Sequence, residues 1–418
     1  MREWKKTRLK SLLALPLTYG LNVSSEDDRR DWPRYIRITD FDDNNNLCED
    51  SFKSLPVSIA ENALLSEGDL LFARSGATAG KTFLYSSIPN GACYAGYLIR
   101  ARFNKKVVLP KFVSYYTKST DYINWKNRYC IQTTIQNISA DKYYQLPVSI
   151  PAIAEQRKIV DYLDEKTSAI DTQIELLEKK KETYSRLKKA MVNRAVTRGL
   201  DEHVKLKDSG ENHIGIIPET WKIRRLKEIG RIGSGTTPST KKESYYNNGT
   251  HPWINTGCVQ DCAIVTPADY ITDKAILDCK GLSYYPQDTI LLAMYGGGTI
   301  GNVGIMRIEA TINQACCAID LNRKVANPEY YFYLLLSIKS WIISRGFGGT
   351  QVNLSQGQIS NFAICVPSLY EQQGIAKYLN EKCSKIDAAI ANIDKQTDAL
   401  KRLKLSLINE VITGQRAV

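Results

Sequence analysis

The chain holds 418 residues, 43% hydrophobic and 24% charged, with a formal net charge of +12 and a pI near 9.0. This is ordinary globular composition, long enough for two or three domains with separate cores, and no window approaches the roughly 18 apolar residues a membrane helix needs. A cytoplasmic protein without a membrane partner is expected, and the positive balance favours a polyanion, because lysines and arginines beside phosphates release condensed counterions.

The first twenty residues, MREWKKTRLKSLLALPLTYG, imitate a secretory leader. Pro16 interrupts the apolar stretch, no small-residue cleavage site follows, and WKKTRLK at Trp4 recurs as WKIRRLK at Trp221. A cleaved leader has no reason to recur, so the segment is expected to belong to the folded chain.

Residues 1–150 form a first block of short β-like runs such as DLLFAR, punctuated by glycine and proline. Within it SGATAGKT, from Ser75, falls short of a phosphate loop, since serine replaces the first glycine and the segment runs into the strand-like FLYSS rather than a helix. Residues 151–200 then read as a long helix opening after Pro151. Residues 201–220 are polar and turn-rich and read as a linker. A second β-rich block occupies 221–366, and a second helix, after Pro367, occupies 367–418.

The helices carry the strongest signal. PAIAEQRKIVDYLDEKTSAIDTQI from Pro151 returns as PSLYEQQGIAKYLNEKCSKIDAAI from Pro367, 216 positions later, and 18 of the 47 residues from Pro151 to Thr197 recur unchanged. Apolar residues fall every seven positions at Leu163, Ile170, Leu177, Tyr184 and Met191, and again at Leu379, Ile386, Ile393, Leu400 and Leu407. That is a coiled-coil seam. Companions at Ile159, Ile174, Leu187 and Ala195, echoed by Ile375, Ile390, Leu403 and Val411, are expected to widen the buried stripe. Each seam has its best partner in the other, and an approximate two-fold between the halves would make the pair antiparallel. Gly374, where the first helix has Lys158, should weaken the second helix locally by about 1 kcal/mol.

The blocks diverge but keep a skeleton. Asp69 and Asp288 each precede an apolar strand, Pro110 and Pro328 introduce aromatic helical stretches, and Asn137-Ile138-Ser139 answers Asn353-Leu354-Ser355. The fold class is therefore α+β: two mixed α/β domains joined by a long antiparallel two-helix coiled coil, with an internal pseudo-two-fold repeat.

Catalytic material is sparse. Three histidines, His203, His213 and His251, offer little for acid-base chemistry. Gly296, Gly298 and Gly301 match a dinucleotide-binding spacing, but NVGIMRIEATINQ continues as a β-like run where a helix is required, which predicts a glycine-rich hairpin. NPEY at Asn327 resembles an amino-methyltransferase motif broken by Glu329. The ten cysteines read as reduced thiols, and His251, Cys258, Cys262 and Cys279 lack the paired C-x-x-C knuckles of a zinc site, so no metal is expected.

The polar, glycine-bounded loops combine amides, hydroxyls and cations, the groups that read base edges and hold phosphates. In the first block the candidates are Arg74, Ser75, Thr78 and Lys81, then Arg128, Gln132, Thr133, Thr134, Gln136 and Asn137. In the second they are Thr236, Thr237, Ser239, Lys241 and Lys242 after GSG, Tyr295, Thr299 and Asn302 around GGGTIG, and Thr350, Gln351 and Asn353 after GFGG.

Taken together, the duplicated P-x-x-x-E-Q helices, VTRGLDEHVKLKDSG followed by IGIIPETWKIRRL, and GSGTTPS with GGTQVNLS resemble the specificity subunit of type I restriction-modification systems along the whole chain. The resemblance implies two target-recognition domains, each reading one part of a split, asymmetric double-stranded DNA site, and two helices in an antiparallel coil between them. It implies no catalysis and no cofactor in this chain: two modification (methyltransferase) subunits and restriction subunits would be partners, carrying S-adenosylmethionine, ATP and magnesium. Two other readings compete. One is an enzyme whose glycine loops hold a nucleotide or S-adenosylmethionine; the other is a coiled-coil scaffold that binds proteins only.

Overall fold

The computed structural model describes residues 4–25, 27–130, 137–296, 298–347 and 352–418. Two helices of 46 and 44 residues, Ile153–Arg198 and Leu369–Ile412, dominate the chain. The contacts divide it into two units: Met1–Glu178 with Asp394–Val418, and Lys179–Ile393. Each long helix thus gives one half to each unit.

In the first unit a four-stranded antiparallel sheet runs in the order Thr18–Tyr19, Leu98–Ala101, Leu70–Ala73, Thr82–Leu84. A separate parallel pair joins Arg34–Ile36 to Ala92–Tyr94. All four residues of Leu70–Ala73 are buried, because both faces of this strand are covered by apolar clusters, one containing Leu70 and Phe72 and the other Leu71 and Ala73.

The second unit repeats this plan with additions. Its main sheet orders Gly230–Ser234, Cys316–Leu321, Ile290–Ala293, Val303–Met306 and Ala263–Ile264, the last joined in parallel. A second sheet combines Asp269–Ile271, His251–Ile254, Ala310–Ile312 and Tyr284–Tyr285. Residues 201–220, read as a linker, are turn-rich yet built into the unit. Leu206–Asp208 pairs with Ile216–Pro218, and Ile214 and Ile217 are buried in the core.

The repeated words of the sequence meet in space. The strand of the first W-K-x-x-R-L-K motif, Lys5–Arg8, pairs antiparallel with Pro147–Ile150, and that of the second, Lys222–Arg225, pairs with Ala363–Val366 in the same register. The glutamine of each P-x-x-x-E-Q motif is fully buried. Gln156 donates to the carbonyls of Val107 and Pro151 and accepts from the Leu109 amide; Gln372 does the same with Val325, Pro367 and Asn327. A buried amide is stable only with such complete pairing, so each glutamine fastens its helix to the chain entering an aromatic helix. Those helices, Pro110–Tyr116 and Pro328–Ser337, both open on proline.

Each helix starts on the block that precedes it and ends on the other. Gly199 and Gly414 both take positive φ, +75° and +74°, and a Cβ placed on them would come 3.4 Å from Trp221 and 3.3 Å from Trp4, respectively. The second helix passes Gly374 unbroken.

All ten seam positions are buried or half-buried. In the first unit Leu163 and Ile170 share a cluster with Leu407, Ile408 and Val411; in the second Val192 and Ala195 share one with Ile375, Leu379 and Cys383. Two companion positions depart from expectation: Leu187 and Leu403, equivalent in the repeat, are 52% and 55% exposed. Ile159, Ala195, Ile375 and Val411 lie where a block covers a broad helical face, whereas the middle of each helix buries only the narrow stripe of a seam.

The thiols among the described residues are free. Burial pushes the Cys93 thiol up to about 12 and Cys365 to about 11, which keeps them protonated core residues. Among the described residues no helix is long and apolar enough to cross a membrane.

Candidate nucleic-acid interface

The glycine loops of both units sit at the tip of the same hairpin. Leu70–Ala73 returns antiparallel as Thr82–Leu84, and Ile290–Ala293 as Val303–Met306. In each the last residue of the first strand is bonded twice: the Ala73 amide to the Lys81 carbonyl and its carbonyl to the Gly80 amide, the Ala293 amide to the Asn302 carbonyl and its carbonyl to the Gly301 amide. Gly80 and Gly301 take φ of +83° and +75°, and a Cβ there would come 2.1 Å from Lys126 and 2.6 Å from Ile343. Only glycine fits such a turn, so Gly301 closes a hairpin and does not belong to a dinucleotide fingerprint.

The residue that follows each first strand is held from two sides. Arg74 donates its amide to the Tyr97 carbonyl, and its carbonyl accepts from Ile138 at 2.8 Å; Met294 donates to Ala315, and its carbonyl accepts from Leu354 at 2.8 Å. The N-I-S and N-L-S motifs therefore do one job. Their buried middle residue, Ile138 or Leu354, anchors the adjoining asparagine, Asn137 or Asn353, beside the hairpin tip.

In the first unit this gathers Arg74, Ser75 and Asn137, with Ser75 and Asn137 in an isolated β-bridge. The Arg74 guanidinium lies 4.9 Å over the Tyr19 ring, and the Tyr19 hydroxyl accepts the Ala140 amide. The Nε of Arg74 and that of Arg100 are buried without a hydrogen-bond partner among the described residues. Thr78 lies within the hairpin tip, and Arg128 is exposed near the end of the helix Thr120–Cys130. Lys81 is committed elsewhere: its ammonium donates to the Phe41 carbonyl at 2.6 Å and pairs with Asp43 at 3.5 Å. Gln132, Thr133, Thr134 and Gln136 lie outside the described residues.

In the second unit the loop after Gly230–Ser234 runs along Ala310–Ile312, with the Thr236 amide on the Ile312 carbonyl and the Thr237 hydroxyl donating to Gln314 at 2.6 Å. Ser239 and Lys241 are exposed. Lys242 donates to the Tyr245 hydroxyl at 2.9 Å, and that bond raises its pKa, so it stays a cation. Tyr295 is half-buried and its carbonyl accepts from the Thr299 hydroxyl. Asn302 is structural, donating to the Val259 carbonyl and accepting from Lys339. Asn353 forms a two-bond bridge with Phe347. Thr350 and Gln351 lie outside the described residues. His251 bonds Asp273 at 2.6 Å and also Tyr284, and among the described residues no three metal-ligating side chains cluster.

Sequence reasoning passed over Tyr19, Tyr97, Arg100, Gln314 and Phe347. Tyr97 and Phe347, 59% and 58% exposed beside the hairpin tips, offer faces on which a base can stack. A usable signal existed: each is an aromatic residue next to a glycine.

The profile of the family described as "Type I restriction modification DNA specificity domain" matches residues 1–183 and 218–402. The chain belongs to this family. Its role is DNA specificity, so the chain is a non-catalytic recognition subunit, and the enzyme and scaffold readings fall away. The MjaVIII specificity subunit of a type I restriction enzyme from Methanocaldococcus jannaschii is 24% identical over 365 residues, 84% of this specificity subunit and 80% of that one. The MjaIX specificity subunit of the same organism is 31% identical over 201 residues, 47% and 45% of the two chains. A chain solved in a study of complex assembly and conformational transition of the type I R-M system shares the fold, with a TM-score of 0.76 at 17% identity over 99% of this chain and 98% of that one. The HsdS subunit from Thermoanaerobacter tengcongensis gives 0.55 at 17% identity, over 99% and 97%.

Proposed function

We propose that this specificity subunit reads a split, asymmetric DNA duplex, one half with each β-rich block, and that its long helices pair as an antiparallel coil that spaces the readers. The observation that carries this is the twofold recurrence of one geometry, a hairpin tip flanked by an anchored polar segment, with different side chains in each copy. Same scaffold and different surface is what reading two different half-sites requires. Arg74, whose buried Nε has no partner among the described residues, is the foremost base-edge reader, and Lys241 a phosphate contact. Support for the coil comes from the matched pairs Asp171 with Lys404 and Asp387 with Lys188.

The helices also dock two modification subunits, which supply methyl transfer with S-adenosylmethionine, while restriction subunits use ATP and magnesium. The assembly works in the cytoplasm, where its DNA lies. Selection from a library of random duplexes by the chain bound to its modification partners tests this. Enrichment of two short sequences at a fixed gap is expected; one contiguous sequence, or none, would overturn the reading.

A further inference from the structure

A polar cavity of about 520 Å³ opens in the first unit between the block and the helices, lined by four lysines, Lys105, Lys111, Lys118 and Lys404, by the carboxylates Glu67 and Asp171, and by the amides of Asn44 and Asn45. Two of its cations are matched by carboxylates: Lys404 donates to both oxygens of Asp171 at 2.7 Å, and Lys111 to Asp164 at 2.7 Å. Lys118 differs. It is a half-buried residue whose ammonium donates no hydrogen bond among the described residues. Burial, and then the Lys404 charge, lower its pKa against the pull of Asp171, Asp42 and Asp43.

The internal repeat supplies the control. Tyr115 bonds Asp164 on the first helix, and Tyr333 bonds Asn380 at the equivalent place on the second. In that frame Lys118 corresponds to Leu336, which packs on the apolar core, and the cavity-lining Thr167 corresponds to the buried Cys383. The scaffold therefore accepts an apolar filling here. A half-buried lysine without a partner among the described residues is costly, and an anion is the ligand that removes the cost.

We propose that this cavity binds a small oxyanion of the phosphate class, with Lys118 as its principal donor and Lys404 and the Asn44 and Asn45 amides around it. The volume leaves room for the ion with several waters at about 30 Å³ each. The ligand is either free phosphate or the phosphate of a mononucleotide.

Titration calorimetry and thermal unfolding of the full chain, at constant ionic strength, with inorganic phosphate and with adenosine monophosphate, test this. Wild type is expected to bind saturably and to melt at a higher temperature with either ligand. Tighter binding of the nucleotide would identify it as the source, and equal or weaker binding would identify the free ion. Lys118→Leu, which installs the residue of the other repeat, should weaken binding by about tenfold or more while melting higher without ligand. Lys118→Gln gives the same affinity test should the leucine disturb folding. Equal phosphate binding by wild type and both variants, no saturable binding, or a Lys118-dependent response to duplex DNA alone would overturn the proposal.

Discussion

Lys404 donates to both carboxylate oxygens of Asp171 at 2.7 Å. Lys188 bonds Asp387 in the same bidentate way. In both pairs the two residue numbers total 575, which is what antiparallel pairing in a single register requires. A double-mutant cycle with Lys404→Gln and Asp171→Asn should give a coupling of about 0.5 to 1 kcal/mol at low salt, because the Lys404 side chain is only 12% exposed. The more exposed Lys188 and Asp387 should couple by about half as much, and both values should shrink with added salt. Zero coupling in both cycles would remove this support for the paired helices.

Exchanging residues 222–358 for the equivalent block of a relative should change one half of the recognised DNA sequence and leave the other intact. The graft keeps Ala363–Val366 and the Gln372 bond to the Pro367 carbonyl, and the relative's strand takes the place of Lys222–Arg225 in the backbone pairing at the block's base. Sequencing of duplexes selected by the hybrid decides the matter. A change in both halves would contradict independent readers.

Arg74→Ala should cost about 1 to 3 kcal/mol on the cognate site and relax the base preference at one position. Lys241→Ala should instead weaken all duplexes alike and lower the salt slope by about one. Binding to cognate and scrambled duplexes across a salt series separates the two. Identical behaviour of the variants would mean that the two side chains do not divide into reader and anchor.

Burial alone would raise the Glu371 carboxyl, but the Ser368 hydroxyl, the Trp221 indole N–H and the Ser368 amide outweigh it and hold the group below its ordinary 4.5. A depressed carboxyl stabilises the fold above its unfolded value, and that contribution fades as pH falls through the folded one. Trp221→Phe removes the 3.1 Å indole bond and should cost about 1 kcal/mol at neutral pH. Denaturant unfolding should show the gap to wild type narrowing below pH 4.5. A gap that widens in acid would reverse the sign argued for Glu371.

If the helices set the distance between readers, removing one facing heptad from each, residues 172–178 with residues 397–403, should shorten the coil by about 10 Å. The cut spares Asp171 and Lys404. The gap in the selected DNA should then shrink by up to about three base pairs, at about 3.4 Å each. Three pairs also turn the groove by about 100°, so the selected gap and the affinity both need measuring. Tight binding at the original gap would show that the helices do not act as a ruler.

Much of the plan was legible because repetition exposes what a fold cannot change. The seam from Leu163 to Met191, the partner strands at Lys5 and Lys222, and the hairpin at Gly301 all follow from period, recurrence and the absence of a helix after the glycines. Side-chain commitments were not legible. Lys81 and Asn302 look like readers in a linear string, but a carbonyl of Phe41 or Val259, more than 39 residues away, claims them. Leu187 and Leu403 fail for a related reason: a heptad names a helix face, while only tertiary packing says how wide a strip of it is covered.

Trp4 resting on Gly414 mirrors Trp221 resting on Gly199, so the end of each long helix packs on the tryptophan that opens a β-rich block. A rearranged gene could begin in the turn near Gly210, run to Val418, and pass through a short linker into Trp4 with no core residue displaced. Such a permuted chain should read the same DNA. By the same logic a chain of half the length, one block with one long helix, could assemble with a second copy of itself, and two identical readers would demand two identical half-sites. A chain of two unlike blocks imposes no such symmetry on the DNA.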